Sequence, residues 1–451
     1  MRDNKGHETK SSLHLLRDIL PIAFRNLSRH RVKSIITITG VAISVGLYIF
    51  MDAWLLGMNL DSRRNIVSYE MGAAKIQTRA YFEKKDDLPL YEGFSEWLPL
   101  IEALEKAGYV AAPRVVFTGT LYTTQGSAPI VFYGVDPTRE QKVLRYTKYL
   151  EQGRFPEPGK FELALGLLAA EKLKIDLTTR SKEDVRISAV IDLKDEKGRI
   201  RHVYQVIEAQ VVGVINSPNP KTNGNVAYLP LDVLQGEEGL LLEGQVTEII
   251  IRAADARDGT LPGKKERPLA IREVLKQAGI TLPEQLEIYG WLEYVQDYIA
   301  VSRQDDITSR IIIFLLFILS LLGIANTMLM AILERTKEIG MMRALGMTDG
   351  EVLLSYLVEA GLIGFLGGAI GMVLGVIGNI PMVNYGIDYS SMVRELGGDY
   401  GYRITSLFRS AWNPVTIFAS GLGATLIAAL LSILPTLRAL RMPVTESLRF
   451  E

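Results

Sequence analysis
The chain reads as a membrane protein with four transmembrane α-helices and a large α+β extracytoplasmic domain inserted between the first and the second. Three observations predict this. Four runs carry no charge or a single acid: Ile35 to Met58, Ile311 to Leu333, Val352 to about Ile380, and Val415 to Leu437. Each reaches the roughly 20 residues a helix needs to cross hydrocarbon. One such run could be a buried core helix, but four in a chain of 451 residues point to a bilayer. Between the first two runs lie about 250 mostly polar residues, enough for one or two globular domains.

In order, residues 1–34 are expected to form a cytoplasmic amphipathic segment, 35–58 the first span, and 59–307 the extracytoplasmic (periplasmic) domain with two subdomains. The second span follows at 308–333, a cytoplasmic coupling segment at 334–351, and the third span at 352–380. An outer loop at 381–413, the fourth span at 414–437 and a cytoplasmic C-terminus at 438–451 complete the chain.

In the first segment Leu16, Leu20, Ala23, Phe24 and Leu27 line one helical stripe, with Arg17, Arg25 and Arg29 off it. That pattern suits an interfacial helix under the inner leaflet; a soluble amphipathic helix packed on a partner is the alternative. A signal peptide fits poorly, because the first apolar run exceeds the usual core of about 7 to 15 residues. Orientation follows from positive charge near the spans. Arg17, Arg25, Arg29, Arg31 and Lys33 are opposed nearby only by Asp18, which puts the N-terminus in the cytosol. Four spans return Arg438, Arg441 and Arg449 to the same side. The short loops do not discriminate, since Arg335, Lys337 and Arg343 are matched by Arg394, Arg403 and Arg409.

Within the outer domain, Ala74–Arg79, Val115–Thr124, Ile130–Val135, Val185–Leu193, Val203–Ile215 and Glu248–Arg252 are rich in β-branched and aromatic residues and predict strands. Helices are expected at Phe94–Lys106, Gly166–Lys174 and Leu269–Ala278, giving an α+β domain. Pro137, the cluster Pro156-Glu157-Pro158-Gly159 and the stretch Ala254–Pro268 are candidate subdomain boundaries. From Trp291 to Ile307 a helical pattern without Gly or Pro predicts one continuous helix into the second span.

The segment Glu334–Met347, ERTKEIGMMRALGM, follows the second span directly. Read as a helix, it places Ile339, Met342 and Leu345 on one face, with Glu334, Arg335, Lys337, Glu338 and Arg343 as exposed charge around them. Such a helix can lie in a groove on a cytosolic partner. Gly346 is placed for a left-handed cap, and Thr348 with Glu351 has the capping-box spacing that starts the next helix. The expected order is helix, stop, short helix, stop, helix.

The third span is glycine-dense, with Gly364 and Gly368 four apart and Gly367, Gly371 and Gly375 likewise. Small residues at that spacing let helix backbones approach; a flexible or kinked helix is the other reading. Glu359, in the same span, is either a helix-contact residue or a proton relay, since intramembrane acids usually face protein or water. Asp52, late in the first span, is likewise ambiguous and reads at its simplest as a marker of the outer interface.

Ser217-Pro218-Asn219-Pro220-Lys221-Thr222-Asn223-Gly224-Asn225 separates the strand-like segments VVGVIN and VAYLP. Its prolines predict a stiff, projecting loop, able to bind an outer partner at low entropic cost and replaceable by a Gly-Ser turn without loss of folding. An ordinary long connection is the alternative.

Catalysis has few candidates. The chain has no cysteine and four histidines, of which His7, His14 and His30 precede the first span. A Ser-His-Asp site in the outer domain would need His202, which sits beside Lys197, Arg199 and Arg201 and reads as a solvated strand end. A multi-histidine zinc site is excluded there, and no metal site is expected. No Gly-x-x-x-x-Gly-Lys-Ser/Thr loop occurs, because Gly159-Lys160 and Gly263-Lys264 are followed by Phe161 and Lys265. If ATP drives this chain, another polypeptide binds it.

One span, a large outer domain and three further spans resemble the permease subunits of ABC transporters of the MacB, LolC/LolE and FtsX type. ERTKEIGMMRALGM resembles that family's signature, Val358-Glu359-Ala360 followed by glycines its third span, and Pro435-Thr436-Leu437-Arg438-Ala439 with Met442-Pro443-Val444 its ending. Ala23-Phe24-Arg25-Asn26-Leu27 resembles its opening, and the VVGV and AYLPL passages give the best internal match. The resemblance implies a non-catalytic chain of the bacterial inner membrane, paired with an identical or homologous permease and with nucleotide-binding subunits that hold the ATP and magnesium. It implies docking of those subunits at Glu334–Met347 and work on an extracytoplasmic substrate, such as a lipoprotein released from the membrane, with a periplasmic carrier as a further partner. An efflux permease and a regulator of a periplasmic partner such as a cell-wall hydrolase are the alternatives. The lack of a fused nucleotide-binding domain departs from MacB, and the size of the outer domain departs from FtsX, which favours the lipoprotein-release branch or a further relative.

Overall fold
The computed structural model describes residues 21, 24, 25, 27, 29, 31–178, 181–194, 199–236, 239, 240, 244–257, 259–389, 391, 392 and 407–443. Leu16, Leu20 and Ala23 of the expected N-terminal stripe lie outside them, as do Arg17, Arg394, Arg403 and Arg449. The chain divides into two compact units, 1–58 with 303–386 and 409–451, and 59–302 with 387–408. Helix α1, Arg31–Ile66, opens the described chain.

The second unit is built on a ten-stranded mixed sheet. Its elements begin with β1 (Ala74–Thr78), α2 (Arg79–Glu83), α3 (Leu98–Lys106), β2 (Tyr109–Tyr122), β3 (Ser127–Val135) and α4 (Pro137–Val143). They continue through β4 (Leu150–Gly153), β5 (Glu162–Gly166), α5 (Leu167–Lys172), β6 (Glu183–Lys194), β7 (Ile200–Ile215), α6 (Pro220–Gly224), β8 (Val226–Pro230) and α7 (Leu231–Leu234). The last are β9 (Glu248–Ala253), α8 (Pro268–Gln277), β10 (Leu286–Gly290) and α9 (Trp291–Tyr294). The strand order is β10-β1-β9-β2-β3-β8-β5-β7-β4, with β6 paired to β2 and β7. The pairs β3–β8 and β5–β7 are parallel.

Residue pattern accounts for these strands. In β6, Val185, Ile187, Ala189 and Ile191 are buried while Arg186 and Val190 face out, the period of two that a half-buried strand requires. β9 lies between β1 and β2 and is buried along its whole length, so it reads as a continuous apolar run, EIIIRA, with charge only at its ends. The six expected strands all form. β5 and β10 do not announce themselves, because ELALG and LEIYG are short and contain few β-branched residues; pairing with neighbours on both sides makes β5 a strand. The helix expected from Phe94 starts at Leu98, since Phe94 instead bridges Val246.

A charge cluster is buried inside this sheet. The Arg114 guanidinium is 1% exposed and donates to both carboxylate oxygens of Glu140, to the Glu70 carbonyl oxygen at 3.0 Å, and lies 3.6 Å from Glu248. Lys75 and Gln77 donate to the other Glu248 oxygen at 2.6 and 2.8 Å. Burial pushes the Lys75 ammonium below its usual range, against the opposing pull of Glu248. Buried charge persists only when paired and hydrogen-bonded, and here each cation faces a carboxylate.

The first unit contains α1, then α10 (Gln296–Glu334), α11 (Thr336–Ala344), α12 (Asp349–Asn384) and α13 (Pro414–Leu440). Two short strands, β11 (Ile387–Asp388) and β12 (Leu407–Phe408), sit between the last two helices and belong to the sheet-bearing unit. Among the described residues, three helical stretches are long and apolar enough to cross a membrane: Arg31–Met71, Asp349–Asn384 and Pro414–Leu440. The expected second span lies within α10, where the side chains of 320, 321, 323–325, 327, 328 and 331–333 are outside the described residues. The single helix expected from Trp291 into that span is corrected. α9 ends at Tyr294, Val295 leaves the helical region (φ −114°, ψ 24°), and α10 starts afresh at Gln296.

α12 packs through its glycines. A Cβ built on Gly367, Gly371 or Gly375 would fall 2.5, 2.7 or 2.9 Å from Val41, Val45 or Ile49 of α1. Gly364 and Gly368 instead face α13, where a Cβ would meet the Ala424 and Gly421 carbonyl oxygens at 2.7 and 3.0 Å. The two sets of four-residue spacings therefore serve two partners. Gly371→Ala should cost about 1–3 kcal/mol by forcing α1 and α12 apart, whereas Gly423→Ala, with nothing within 4 Å, should be neutral or stabilising by up to about 1 kcal/mol. Thermal unfolding in detergent reads both; equal losses would contradict the close approach.

Candidate functional site
Glu334–Met347 has the expected interrupted form. α10 ends at Glu334, Arg335 steps out of the helix (φ −102°, ψ 15°), α11 runs over Thr336–Ala344, and Gly346 turns the chain at φ +100°. The Thr348 side chain and Glu351 form the capping box that opens α12, the Thr348 backbone N–H and hydroxyl both donating to the Glu351 carboxylate.

The charges of this segment, however, turn mostly into the chain itself. Arg335 donates to Glu359 of α12 at 2.9 and 3.2 Å, with the two residues 7% and 6% exposed. Glu334 pairs with Lys33 of α1, and Glu338 approaches Arg29 at 3.8 Å. Arg343 donates to the Met442 carbonyl oxygen at 2.9 Å and pairs with Asp349 at 2.9 Å. Arg335 is therefore not the exposed charge expected of it. Its helix break swings the guanidinium under α12, where the buried Glu359 carboxylate meets it.

The common face expected for Ile339, Met342 and Leu345 is corrected too. Ile339 is fully buried in a cluster with Val352, Tyr356, Ala439 and Leu440, and Met342 packs against that cluster. Leu345 is 88% exposed, because α11 ends at Ala344 and the helical spacing no longer governs the residue after it. The outward surface is instead Lys337, Met341, Ala344, Leu345 and Gly346. Met341 gave no sequence signal of this, since a methionine inside a helical pattern reads equally as core.

Other expected sites resolve individually. Glu359 is a helix-contact residue, with Arg335 as a partner. Asp52 is buried and accepts from Asn413 at 2.8 Å, with Arg310 at 3.9 Å, so it ties α1 to α10 and α13. The loop from Ser217 to Asn225 does not project. Ser217, Asn219, Thr222 and Asn223 are buried, Pro218 accepts from Asn65, and Lys221 pairs with Glu70 at 2.7 Å. Its asparagine side chains satisfy backbone groups of the loop and of its own short helix, which pulls it inward. A Gly-Ser replacement would remove those bonds and so would not spare folding. His202 lies inside β7, not beside it, exposed and 2.6 Å from Asp192 across the β6–β7 pair. Among the described residues no group of three or more His, Cys, Asp or Glu could hold a metal ion.

Residues 34–260 match the MacB-like periplasmic core domain and residues 310–444 the FtsX-like permease C-terminal domain. The chain belongs to the MacB/FtsX family of ABC transporter permeases. This permease is 26% identical over 370 residues to an uncharacterized ABC transporter permease of Methanocaldococcus jannaschii, covering 80% of this chain and 83% of that one. It is 21% identical over 349 residues to the lipoprotein-releasing system transmembrane protein LolC of Neisseria meningitidis serogroup B, covering 76% of each. With the macrolide export ATP-binding/permease protein MacB of Bartonella henselae it shares 25% identity over 376 residues, 81% of this chain but 52% of the relative, so it spans about half that protein's length. The extracellular domain of the noncanonic ABC-type transporter YknZ from Gram-positive bacteria aligns over 49% of the permease and all of that chain, with a TM-score of 0.31 and 14% identity.

The Arg335–Glu359 pair should outweigh its exposed neighbours. Arg335→Met withdraws the guanidinium from the buried Glu359 carboxylate and should cost about 3–5 kcal/mol. Lys33→Met, at a pair whose side chains are 48% and 55% exposed, should cost about 0–1 kcal/mol. Thermal unfolding of the two variants in one detergent makes the comparison, and a larger loss for Lys33→Met would reverse the assignment.

Proposed function
We propose that this permease couples ATP hydrolysis by a separate nucleotide-binding subunit to conformational change in the domain at 59–302. Magnesium and ATP belong to that subunit, and a second permease chain, identical or homologous, completes the assembly. The observation that supports this reading most is the exposed turn of Met341 and Leu345. Two large apolar side chains stand open on a segment whose charges, Lys337 apart, are committed within the chain, and apolar anchors of this kind fill pockets on a partner.

The reading extends to topology and substrate. α10 supplies the fourth crossing through residues 308–333, and both termini lie in the cytoplasm of a bacterial inner membrane. The substrate is a lipoprotein or another amphiphile extracted from the outer leaflet. The LolC relative supports this choice, because its match covers three quarters of both chains, whereas the MacB match covers only about half of that relative.

Met341→Glu and Leu345→Glu should each abolish co-purification of the nucleotide-binding subunit while leaving thermal stability within about 0.5 kcal/mol of the parent, as expected for surface substitutions. Retention of the subunit by both variants would remove the docking face. In proteoliposomes of the intact complex, ATP should release an embedded lipoprotein to the lumenal or external aqueous phase in which the 59–302 domain lies. ATP turnover with no release, accompanied by activation of a cell-wall hydrolase, would favour the regulatory alternative.

A further inference from the structure
We propose that Arg335 is a positioning residue that hands movement of the Met341–Leu345 turn to α12, and through the glycine face of α12 to α1, in preference to α10. The proposal rests on the docking reading above and extends it to the route by which the input travels.

The route follows from which contacts are stiff. α10 is contiguous with the segment in sequence, yet the helix is interrupted at Arg335, whose backbone leaves the helical region. A helix interrupted where its backbone leaves the helical region transmits bending poorly across the break. The same residue supplies a two-pronged bond to Glu359, one turn below Ile363 and two below Gly367 on α12. Three further contacts hold α11 to the same helix or its neighbour. Ile339 packs with Val352 and Tyr356, Arg343 pairs with Asp349, and Arg343 also donates to the Met442 carbonyl oxygen. The Lys33–Glu334 pair reaches α1 directly, and Arg29–Glu338 ties the residues just before it, but both pairs are exposed and salt-screened. Past Glu359, α12 touches α1 backbone to backbone at Gly371 and Gly375, where the Ala42 and Gly46 carbonyl oxygens crowd the glycines. With the Val41, Val45 and Ile49 side chains seated against Gly367, Gly371 and Gly375 and no slack left around them, movement of one helix presses directly on the other.

The absence of cysteine from the chain allows clean labelling. Spin labels would be placed at Leu315→Cys on α10 and Ile370→Cys on α12, both exposed, in the full permease with the nucleotide-binding subunit that co-purifies with it. In the parent, ATP should shift the interlabel distance. In Glu359→Gln the subunit should still co-purify, with an unchanged KM for ATP, while the ATP-dependent shift is lost. The charge swap Arg335→Glu with Glu359→Arg should restore the shift, which separates positioning from simple loss of fold. A shift that persists in Glu359→Gln, or a folded, subunit-bound swap that stays silent, overturns the proposal while leaving docking intact. Failure of the parent to retain any nucleotide-binding subunit overturns the docking reading, and this proposal with it.

Discussion

The helical unit depends on the close approach of α12 to two other helices. Hydrocarbon offers no hydrophobic gain when apolar helices associate, so van der Waals contact and interhelical bonds must hold them. α12 meets this by leaving side chains out of two faces. Gly367, Gly371 and Gly375 admit Val41, Val45 and Ile49, and Gly364 and Gly368 admit Ala424 and Gly421. The helix thereby becomes the shared partner of α1 and α13. The polar residues of these spans then follow as fasteners at the ends. Asp52 with Asn413 and Arg310 lies toward one end of α1, and Glu359 with Arg335 lies toward the start of α12.

The sheet-bearing unit solves a different problem with similar means. Its central strands are buried on both faces, which leaves no water to receive charge. Arg114, Lys75, Glu140 and Glu248 are nevertheless retained there, each facing an opposite charge, and Arg114 also closes on the Glu70 backbone. Residues distant in sequence, from Glu70 to Glu248, are thus held to one arrangement. Replacing such a set with apolar residues can be neutral for stability, but removing one member is costly. The set therefore fixes how β1, β2 and β9 register with α4 more than it adds to the total stability.

Much of this was legible in the sequence, for a physical reason in each case. Three of the four apolar runs of span length, the β-branched and aromatic content of the expected strands, and the Thr348–Glu351 spacing are local signals, and each coincides with the helix or strand it implied. The four-residue glycine spacings pointed to close packing, although not to two separate partners. Burial set by tertiary contact was not legible. Arg335 reads as surface charge because its neighbours are charged, yet its carboxylate lies 24 positions away on another helix. An acid isolated in an apolar run, such as Glu359, is the available signal that some cation must come to it. Likewise the prolines of Ser217–Asn225 suggested projection, while the asparagines that fold it inward act through bonds that only the folded chain supplies.

The segment at Glu334–Met347 is best understood by what it does not present. A surface that must receive a partner's movement cannot be held by contacts that yield first. Exposed ion pairs are weak and salt-dependent, so charges displayed outward would bind a partner loosely while leaving the segment itself loosely held. Here the arrangement is reversed. Glu334, Arg335, Glu338 and Arg343 are spent on α1, α12 and the end of α13, and Ile339 is driven into the cluster beneath. Met341 and Leu345 remain outside, where desolvation against a partner would favour contact without any rearrangement of the charges behind them. If the segment docks a partner as proposed, stiffness toward the membrane helices and adhesion to that partner fall to different residues, which is the condition for one short segment to serve both.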